Sequence, residues 1–490
     1  MPRRVITGKK VTSQRRWSDE TLLLKNHHSL YPRTTVRANF FKSVVGENSK
    51  TNARVTRIVD SGGFFIYNAS MSDSFIVKGN GGKKTLEGTV TIGGAKNAVL
   101  KMMAASVLFD GPLTLQNVPM TEDVKRMHEL LISLGAEINT MTIDTTKIST
   151  TVLNTAQATA MRSSVVLTGP LLARYKTTTF PAPGGCTIGN RPIDLFIKAY
   201  EKMGATVEYK DEAYVMHAPN GLSGAEIFFD LQTVTGTETI MFAAVLAKGK
   251  TILKNCAMEP EIKHMADFLV SCGARISGQG TSTITIEGGS LLKATTPYIT
   301  LPDRIETGSF VILGALLAKK LRIEKCDPSL CESLLSLLQS SGVKMKIEKD
   351  AIEIYESHDL KSFNVRTHEY PGFPTDLQSP IVTYLTQAEG ESTIFETIFE
   401  GRFKFVENLK KMGASVNILS NREIVIKGPT PLTASTLESY DLRGGFSAVV
   451  SGLLAEGTST IHNVYFTDRG YEAIDKRLQA LGADIQRITQ

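Results

Sequence analysis

Apolar and polar positions follow a pattern of about 70 residues that occurs six times along this chain. Each copy ends in an amphipathic stretch, a glycine and an alternating stretch, as in ADFLVSCGARI. There, Met265, Phe268, Leu269 and Cys272 fall at positions i, i+3, i+4 and i+7, which is one face of a helix. The glycine that follows predicts a C-cap, because glycine adopts a left-handed backbone at little cost. The pattern therefore predicts a helix, a glycine stop and a strand in every copy.

The glycines that end these helices are almost evenly spaced. They are Gly135, Gly204, Gly273, Gly342, Gly413 and Gly482, at intervals of 69, 69, 69, 71 and 69 residues. Before the amphipathic helix comes a second helix of small residues that ends in LLA or VLA, then a turn and a strand such as TILKN or STIHN. One repeat is therefore a compact α/β module, and six modules divide naturally into two domains of three.

One connection breaks this regularity. From the strand to the capping glycine, five repeats need 19 to 21 residues, whereas the second repeat needs 25, from Thr179 to Gly204. The additional residues belong to PAPGGCTIGN, which places Cys186 in a loop five residues ahead of Arg191. Since loops on a rigid scaffold commonly carry chemistry, this loop is a candidate site.

The composition is that of a globular protein with reduced thiols. Hydrophobic residues make up 42% of the chain and charged residues 21%, and no apolar run reaches eighteen residues, so we expect no membrane span. Five cysteines are few and odd in number, which favours free thiols and a cytoplasmic setting. The four outside the loop fall mostly on apolar stretches, where burial makes thiols inert. No CxxC pair or His/Cys cluster has metal-ligand spacing, so we expect no metal.

The excess basic charge lies entirely in the first 70 residues. They hold 13 Lys and Arg against 4 Asp and Glu, while the remaining 420 residues hold 42 against 45. We expect this extension, residues 1–70, to be disordered or to lie upstream of a natural start at Met71. A transit peptide and a nucleic-acid-binding arm are the alternatives. Met71 opens MSDSFIVKGN, whose alternation predicts the first strand.

Charged and amide side chains occur in connecting loops where ordinary turn residues would be sufficient to build the repeat. GGAKNAVL places Lys96 and Asn97 at the start of a predicted helix, where backbone N–H groups attract anions. FPTDLQSP places Asp376 ahead of an apolar helix, a position typical of an N-cap carboxylate. Arg402 and Arg469 hold matched positions in successive repeats, which favours one shared cleft over separate surface ion pairs.

The charged candidates together point to an anionic substrate. YDLRGGFSAVV adds Asp441 and Arg443 ahead of a glycine pair. The candidate cations are Lys96, Arg162, Arg191, Arg402 and Arg469, and the candidate carboxylates are Asp303, Asp376 and Asp441. Converging arginines favour phosphate and carboxylate ligands, since the guanidinium fork matches both. A carboxylate among them is a candidate general base.

These motifs resemble the UDP-N-acetylglucosamine 1-carboxyvinyltransferases of the EPSP synthase superfamily. The likeness runs from about Ser72 to the C-terminus and rests, in order, on GGAKNAVL, MRSSVVLTGPLLAR, PGGCTIGNRPIDL, TVTGTETIMFAAVLA, EPEI, LPDRIETGSF, FPTDLQ, YDLRGG and DRGYE. It implies a two-domain inside-out α/β barrel with three repeats in each domain. One domain would be 94–301 and the other 71–93 with 302–490, so that the first strand belongs to the C-terminal domain and the site lies in the cleft between the two.

The resemblance also implies an activity. The family transfers the enolpyruvyl group of phosphoenolpyruvate to the 3′-hydroxyl of UDP-N-acetylglucosamine and releases phosphate, through a tetrahedral intermediate, at the first committed step of peptidoglycan precursor synthesis. No cofactor or metal is implied, and no nucleic acid, membrane or obligate protein partner. We expect a cytoplasmic enzyme, or an imported one if residues 1–70 are a transit peptide. The alternatives are a 3-phosphoshikimate 1-carboxyvinyltransferase, which lacks the loop cysteine, and a non-catalytic relative.

Residue roles follow from the matched motifs. Cys186 corresponds to the loop cysteine, which donates a proton toward phosphoenolpyruvate and can form a covalent adduct with it. Asp376 corresponds to the residue thought to deprotonate the sugar hydroxyl. Lys96, Arg191 and Arg469 correspond to the cations that hold phosphate and carboxylate. Other cleft positions are Asn97, Arg162, Asp303, Arg402, Asp441 and Leu442. The nucleotide-sugar positions are Pro192, Asp194, Leu195, Thr235, Gly236 and Ile398.

Four positions depart from the family pattern. Asn190 stands in GNRP where GARP is usual, and Gly401 stands in EGR where ENR is usual, which gives this backbone more freedom. Met258 precedes EPEI where an arginine is common, and Gln232 stands near the nucleotide positions in place of a basic residue. These changes bear on nucleotide affinity and loop rigidity and leave the main charged set intact.

Overall fold

The computed structural model describes residues 59–60, 63–64, 73–182 and 193–489. All of them belong to one compact unit, Val55–Gln490. The loop with Cys186, Asn190, Arg191 and Pro192 lies outside the described residues, and so does most of the basic extension.

Helices alternate with short strands throughout the described chain. The helices are α1 (Lys96–Ala105), α2 (Glu122–Leu134), α3 (Thr155–Thr159), α4 (Thr168–Tyr175), α5 (Asp194–Lys202), α6 (Val234–Val245), α7 (Pro260–Ser271), α8 (Arg304–Leu317), α9 (Glu332–Ser340), α10 (Gln378–Leu385), α11 (Val406–Lys411), α12 (Leu442–Leu454), α13 (Tyr465–Asp468) and α14 (Ile474–Ala480). Short 3₁₀ turns occur at Ser106–Leu108, Arg162–Leu167, Pro328–Cys331 and Thr375–Leu377.

The strands are short, and most have fewer than seven residues. They are β1 (Val59–Asp60), β2 (Gly63–Phe64), β3 (Ser74–Asn80), β4 (Leu86–Thr91), β5 (Leu113–Gln116), β6 (Glu137–Asn139), β7 (Thr142–Asp144), β8 (Thr177–Pro181), β9 (Thr206–Lys210), β10 (Ala213–His217), β11 (Glu226–Phe228), β12 (Lys250–Lys254), β13 (Arg275–Ser277), β14 (Thr283–Glu287), β15 (Tyr298–Ile299), β16 (Ala318–Glu324), β17 (Met345–Ile347), β18 (Ala351–Tyr355), β19 (Val365–Arg366), β20 (Gly390–Phe395), β21 (Ser415–Ser420), β22 (Glu423–Gly428), β23 (Thr436–Glu438), β24 (Glu456–His462) and β25 (Asp484–Ile488).

The six repeat glycines end helices, as the sequence predicts. They follow α2, α5, α7, α9, α11 and α14, directly or after one residue, and their φ angles lie between +90° and +105°. A residue with a Cβ atom is strained in this region, so the spacing of the glycines reflects a backbone requirement.

Two hydrophobic cores organise the chain. The first core is formed by buried side chains of residues 99–298, and the second by those of residues 75–92 and 305–485. In the second core α8, α10 and α12 pack against one another, and all eight residues of α10 are buried. In the first core α4 packs on α6, and α1, α4 and α6 all contact the 162–167 turn. The helices of small residues are therefore inside, and the sheets cover them.

The sheets share one plan. In β11-β12-β14-β13, an edge strand runs parallel to the strand before the amphipathic helix, and a hairpin completes the sheet. The sheets β15-β5-β7-β6, β4-β16-β18-β17 and β19-β20-β22-β21 repeat it. In the second repeat, β8-β10-β9, a single bridge from Val152 to Thr179 replaces the parallel edge strand. In the described part of the chain these strands form separate small sheets and no closed barrel.

The first predicted strand completes the sheet of the last repeat. β3 lies between β24 and β25 and pairs antiparallel with both. This is the position that a hairpin strand of the same repeat occupies in the other sheets. Strand β3 therefore packs with the C-terminal repeats of the chain. The domain limits at 94 and 301 stay a prediction. No helix among the described residues combines the length and the apolar character needed to cross a membrane.

Candidate active site

A cavity of about 440 Å³ is lined by side chains from both cores. This volume lies in the usual range of small-molecule sites. Of the catalytic and binding residues assigned by correspondence with the family, eleven line it: Lys96, Asn97, Arg162, Leu195, Thr235, Asp376, Ile398, Arg402, Asp441, Leu442 and Arg469. Lys96 and Arg469, which are 373 positions apart in the chain, are thus brought into one space.

Three described candidates lie outside this lining. Asp194 is exposed at the start of α5, where its carboxylate is 3.9 Å from Nζ of Lys198. Gly236 is buried in the first turn of α6, and its N–H donates to the Thr233 hydroxyl at 3.1 Å. Asp303 faces a smaller neighbouring cavity of about 280 Å³.

Two of the predicted carboxylates cap helices. Asp303 Oδ1 accepts the N–H groups of Ile305 and Glu306 at the start of α8, at 2.8 and 2.9 Å. Asp441 Oδ1 caps α12 by accepting the N–H of Arg443 at 3.0 Å. Both carboxylates therefore fix helix ends that carry cleft residues.

Asp376 is not a helix cap, so the N-cap interpretation of its position is wrong. It lies in the 3₁₀ turn Thr375–Leu377, and no side chain caps either this turn or α10. Its Oδ1 instead accepts from Nη2 of Arg402 at 3.0 Å, and its Oδ2 accepts from Nη2 and Nε of Arg443 at 3.1 and 3.2 Å. The carboxylate belongs to a charged cluster that lines the cavity.

The surroundings of Asp376 make its carboxylate unusually acidic. Burial by itself would raise the pKa of Asp376, but the charges of Arg443, Arg402 and Lys96 outweigh burial and hold the pKa well below its ordinary range. Both guanidinium groups are almost fully buried, whereas the Asp376 side chain keeps 29% of its surface exposed. The carboxylate is therefore charged and accessible.

A second charged cluster joins Lys96 and Arg469 through Asp123. Lys96 Nζ lies 3.2 Å from Asp123 Oδ2, and Arg469 Nε donates to Asp123 Oδ1 at 2.8 Å. Burial raises the pKa of Asp123, but the two cations more than offset this and lower it. The sequence analysis missed Asp123, because an acidic residue in the first turn of α2 is also typical of an ordinary helix start.

The cavity lining also holds three glutamates that the sequence analysis missed. Glu238 is fully buried, 3.3 Å from Nζ of Lys101, and Glu261 pairs with Nε of Arg304 at 3.0 Å. Glu259 lies beside them in the lining. Burial raises the pKa of Glu238 to about 7. Within 73–182 and 193–489, no group of three or more His, Cys, Asp or Glu is arranged to hold a metal ion.

Comparisons with known proteins show which family the chain belongs to. A family model described as EPSP synthase (3-phosphoshikimate 1-carboxyvinyltransferase) matches residues 81–478. The chain is 42% identical over 410 residues to the UDP-N-acetylglucosamine 1-carboxyvinyltransferase of Shewanella halifaxensis, covering 82% of this chain and 97% of that protein. It is 41% identical over 425 residues to the enzyme of that name from Acidobacterium capsulatum, covering 85% and 96%. The chain belongs to the UDP-N-acetylglucosamine 1-carboxyvinyltransferase family, within the wider EPSP synthase family.

Solved structures give the fold of this family member. The enolpyruvyl transferase NikO from Streptomyces tendae superposes with a TM-score of 0.77 at 21% identity, covering 86% of this chain and all of that one. EPSP synthase from Acinetobacter baumannii superposes with a TM-score of 0.63 at 18% identity, covering 85% of this chain and all of that one. The fold is therefore the enolpyruvyl transferase fold.

Three of the four departures from the family pattern lie among the described residues of this family member. Gly401 has a φ of +75°, so the backbone before Arg402 uses the freedom of glycine. Gln232 lines the cavity and donates from Nε2 to the Cys256 carbonyl at 3.3 Å. Met258 is half-buried.

The four cysteines outside the loop are buried in this family member. Burial raises the pKa of Cys256 and Cys326 to about 11 and of Cys331 to about 12, and it also raises the pKa of Cys272. A thiol with a raised pKa holds little thiolate at neutral pH, so none of these four is a good nucleophile.

Proposed function

We propose that this protein transfers the enolpyruvyl group of phosphoenolpyruvate to the 3′-hydroxyl of UDP-N-acetylglucosamine and releases phosphate. The observation that carries the proposal is the Asp376 carboxylate, held by Arg402 and Arg443 inside a cavity lined by further cations. A base and several anion-binding groups in one space suit an acceptor hydroxyl and a donor with two anionic groups. In a cell this reaction belongs to peptidoglycan precursor synthesis in the cytoplasm, and so to cell-wall growth and division.

The two charged clusters would divide the anionic groups of phosphoenolpyruvate between them. Lys96 and Arg469 form one pair around Asp123, and Arg402 and Arg443 form the other around Asp376. A phosphate and a carboxylate on one small molecule need two separate cationic contacts, which this arrangement offers. Arg191 would add a cation from the loop.

The nucleotide sugar would occupy the remainder of the cavity. Leu195 and Thr235 line it from the first core and Ile398 lines it from the second, so its walls come from both sides. A ligand that touches both cores stabilises them against one another, which also excludes water from the reacting groups. Arg162 lines the same space and suits the diphosphate.

Asp376 would remove the proton from the 3′-hydroxyl. The oxygen then bonds to C2 of phosphoenolpyruvate while a proton adds to C3, which gives the tetrahedral intermediate. Loss of a proton from C3 re-forms the double bond as the C2–O bond to phosphate breaks. The donor of the C3 proton would be Cys186, by correspondence with the family.

The low pKa of Asp376 bears on this step. A carboxylate held by Arg402 and Arg443 is a weak base. When the substrate's carboxylate shares those guanidinium groups, it supplies negative charge beside Asp376 and raises its pKa. The base would therefore strengthen only when phosphoenolpyruvate is bound, which couples proton removal to occupancy of the site.

Phosphate release in the presence of both substrates tests the proposal. Purified protein mixed with phosphoenolpyruvate and UDP-N-acetylglucosamine should release phosphate and yield a product heavier than the nucleotide sugar by one enolpyruvyl group, and omission of either substrate should abolish release. Release with 3-phosphoshikimate instead would assign the sister activity. Release with neither acceptor would support a non-catalytic relative.

A further inference from the structure

We propose that Asp123 is a positioning residue that holds Lys96 of the first core and Arg469 of the second core together as one anion-binding pair. The identity of the anion as phosphoenolpyruvate rests on the proposed function, whereas the pairing of the two cations rests on the structure alone.

The geometry of Asp123 is that of a bridge. Its two oxygens are used separately, Oδ2 toward Lys96 Nζ at 3.2 Å and Oδ1 toward Arg469 Nε at 2.8 Å. The three residues are buried, with 2%, 8% and 8% of their surfaces exposed. A buried carboxylate that makes two ion pairs to different elements fixes the distance between them.

The bridge connects elements of both cores. Lys96 begins α1 and Asp123 lies in the first turn of α2, both in the first core, whereas Arg469 directly follows α13. The same two helices meet again one turn away, where Arg126 of α2 lies 5.2 Å from the centre of the Tyr465 ring of α13. Helix α2 therefore contacts the segment from Tyr465 to Arg469 at two points, through Asp123 and through Arg126 one turn further along.

The charges explain why a carboxylate is needed between them. Lys96 is faced by Asp123, Arg443, Arg469 and Asp376, and its backbone N–H donates to Asp303. Asp376 is already held by two arginines, so Asp123 is the carboxylate in direct contact with the ammonium group. Burial lowers the pKa of Lys96, and the Asp123 charge opposes this. Without Asp123, two buried cations from different cores would repel each other and Lys96 would lose its proton more readily.

An ordinary helix-end role does not account for Asp123. Its neighbour Glu122 also lies in the first turn of α2 and offers a negative charge to the helix dipole. Glu122 is partly exposed and pairs with the exposed Lys125 at 2.7 Å. The two adjacent acids therefore provide a matched pair of variants, one in the bridge and one outside it.

The decisive experiment compares Asp123→Asn with Glu122→Gln across pH. In Asp123→Asn we expect kcat/KM for phosphoenolpyruvate to fall at least tenfold at pH 7, mainly through KM, and the loss to grow as pH rises, because Lys96 then deprotonates more readily than in the wild type. The KM for UDP-N-acetylglucosamine should stay unchanged. Glu122→Gln should match the wild type throughout. Asp123→Asn/Lys96→Arg should lose the growth of the defect with pH, because a guanidinium stays protonated as pH rises.

Two further readouts separate the possible outcomes. Asp123→Glu keeps the charge on a longer side chain, so it should raise KM without shifting the pH profile, and it serves as the test if Asp123→Asn does not fold. Calorimetric titration of phosphoenolpyruvate alone measures the anion pair even if no turnover with UDP-N-acetylglucosamine is found. Tighter phosphoenolpyruvate binding in Asp123→Asn would mean that Asp123 competes with the substrate, and a defect of equal size at every pH would mean a purely structural role. Either result would overturn the proposal.

Discussion

Nη2 of Arg443 lies 3.1 Å from the Asp376 carboxylate, although the two residues are 67 positions apart in the chain. With Arg402 on the other oxygen, this contact keeps Asp376 ionised and aligned in the cavity. The same contact lowers the pKa of Asp376. Under the proposed function, the carboxylate would be a weak base until a substrate anion shares the guanidinium groups, so activity would depend on charge balance as well as on the presence of a carboxylate.

Replacement of Asp376 by asparagine should remove most of the turnover. We expect kcat to fall by roughly a hundred- to ten-thousand-fold, because an amide keeps the size of the side chain but accepts no proton. Calorimetry should show that UDP-N-acetylglucosamine still binds. Asp267→Asn, on an exposed face of α7, is the control for a general effect of losing a carboxylate. Turnover near the wild-type level would exclude Asp376 as the base.

Glu238 should make stability depend on pH. Its folded pKa of about 7 is raised above its ordinary value of 4.5, so between these pH values the folded state holds a proton that the unfolded state releases. The free energy of unfolding should then fall as pH rises from 4.5 to 7, by at most about 1.4 kcal/mol per pH unit for one proton.

Urea unfolding at pH 5, 6 and 7 measures this slope. Glu238→Gln should flatten it, whereas Glu137→Gln, which alters an exposed ion pair with Lys147, should leave it unchanged. The slope is the readout, since Glu238→Gln also leaves the buried Lys101 without its partner. Equal slopes in the wild type and Glu238→Gln would contradict the raised pKa.

Fosfomycin should label one thiol, that of Cys186. Cys186 corresponds to the reactive loop cysteine of the family. The other four cysteines are buried and have raised pKa values: Cys256, Cys272, Cys326 and Cys331. Labelling should be faster with UDP-N-acetylglucosamine present and absent in Cys186→Ser. Cys186→Asp should also escape labelling and should retain turnover, since a carboxyl group can donate a proton. Peptide mass mapping that finds any of the four buried cysteines would refute the assignment.

A truncated chain that starts at Met71 should fold and be as active as the full chain. Every described element from β3 onward is kept, and β3 completes the sheet with β24 and β25. A chain starting at Gly81 lacks β3 and with it the buried Phe75 and Val77, so it should lose cooperative unfolding. Thermal melts and phosphate release compare the two. Loss of folding in the Met71 form would show that residues 1–70 are part of the enzyme.

Substitutions of Gly401 should be tolerated according to the conformational energy that each new side chain costs at positive φ. The angle of +75° costs roughly 1–2 kcal/mol for an ordinary L-residue, and asparagine bears it better than a β-branched residue. No atom lies within 4 Å of a Cβ built at Gly401, so backbone strain and not a clash decides the effect. We expect Gly401→Asn to keep turnover and Gly401→Val to lower both the melting temperature and the affinity for phosphoenolpyruvate. Equal behaviour of the two variants would show that the Arg402 backbone adjusts freely.

Much of the fold was accessible from the sequence because its signals are local. A glycine after an apolar helical face ends a helix through its own φ, and all six glycines do so. The loop of the second repeat stood out by length alone. The residue types of the site were likewise recognisable as motifs, and eleven of those positions line one cavity.

The pairing of charges was decided only by the tertiary structure. The sequence around Asp376 predicts a helix cap, but the side chain binds Arg402 and Arg443. The sequence around Asp123 is typical of a helix start, but the side chain joins Lys96 to Arg469. These contacts span up to 346 positions and exist because two separately packed cores meet along one cleft. Local sequence determines which charges are present, but the energy of a buried charge depends on which opposite charge lies within a few ångströms, and only the packed chain sets that distance.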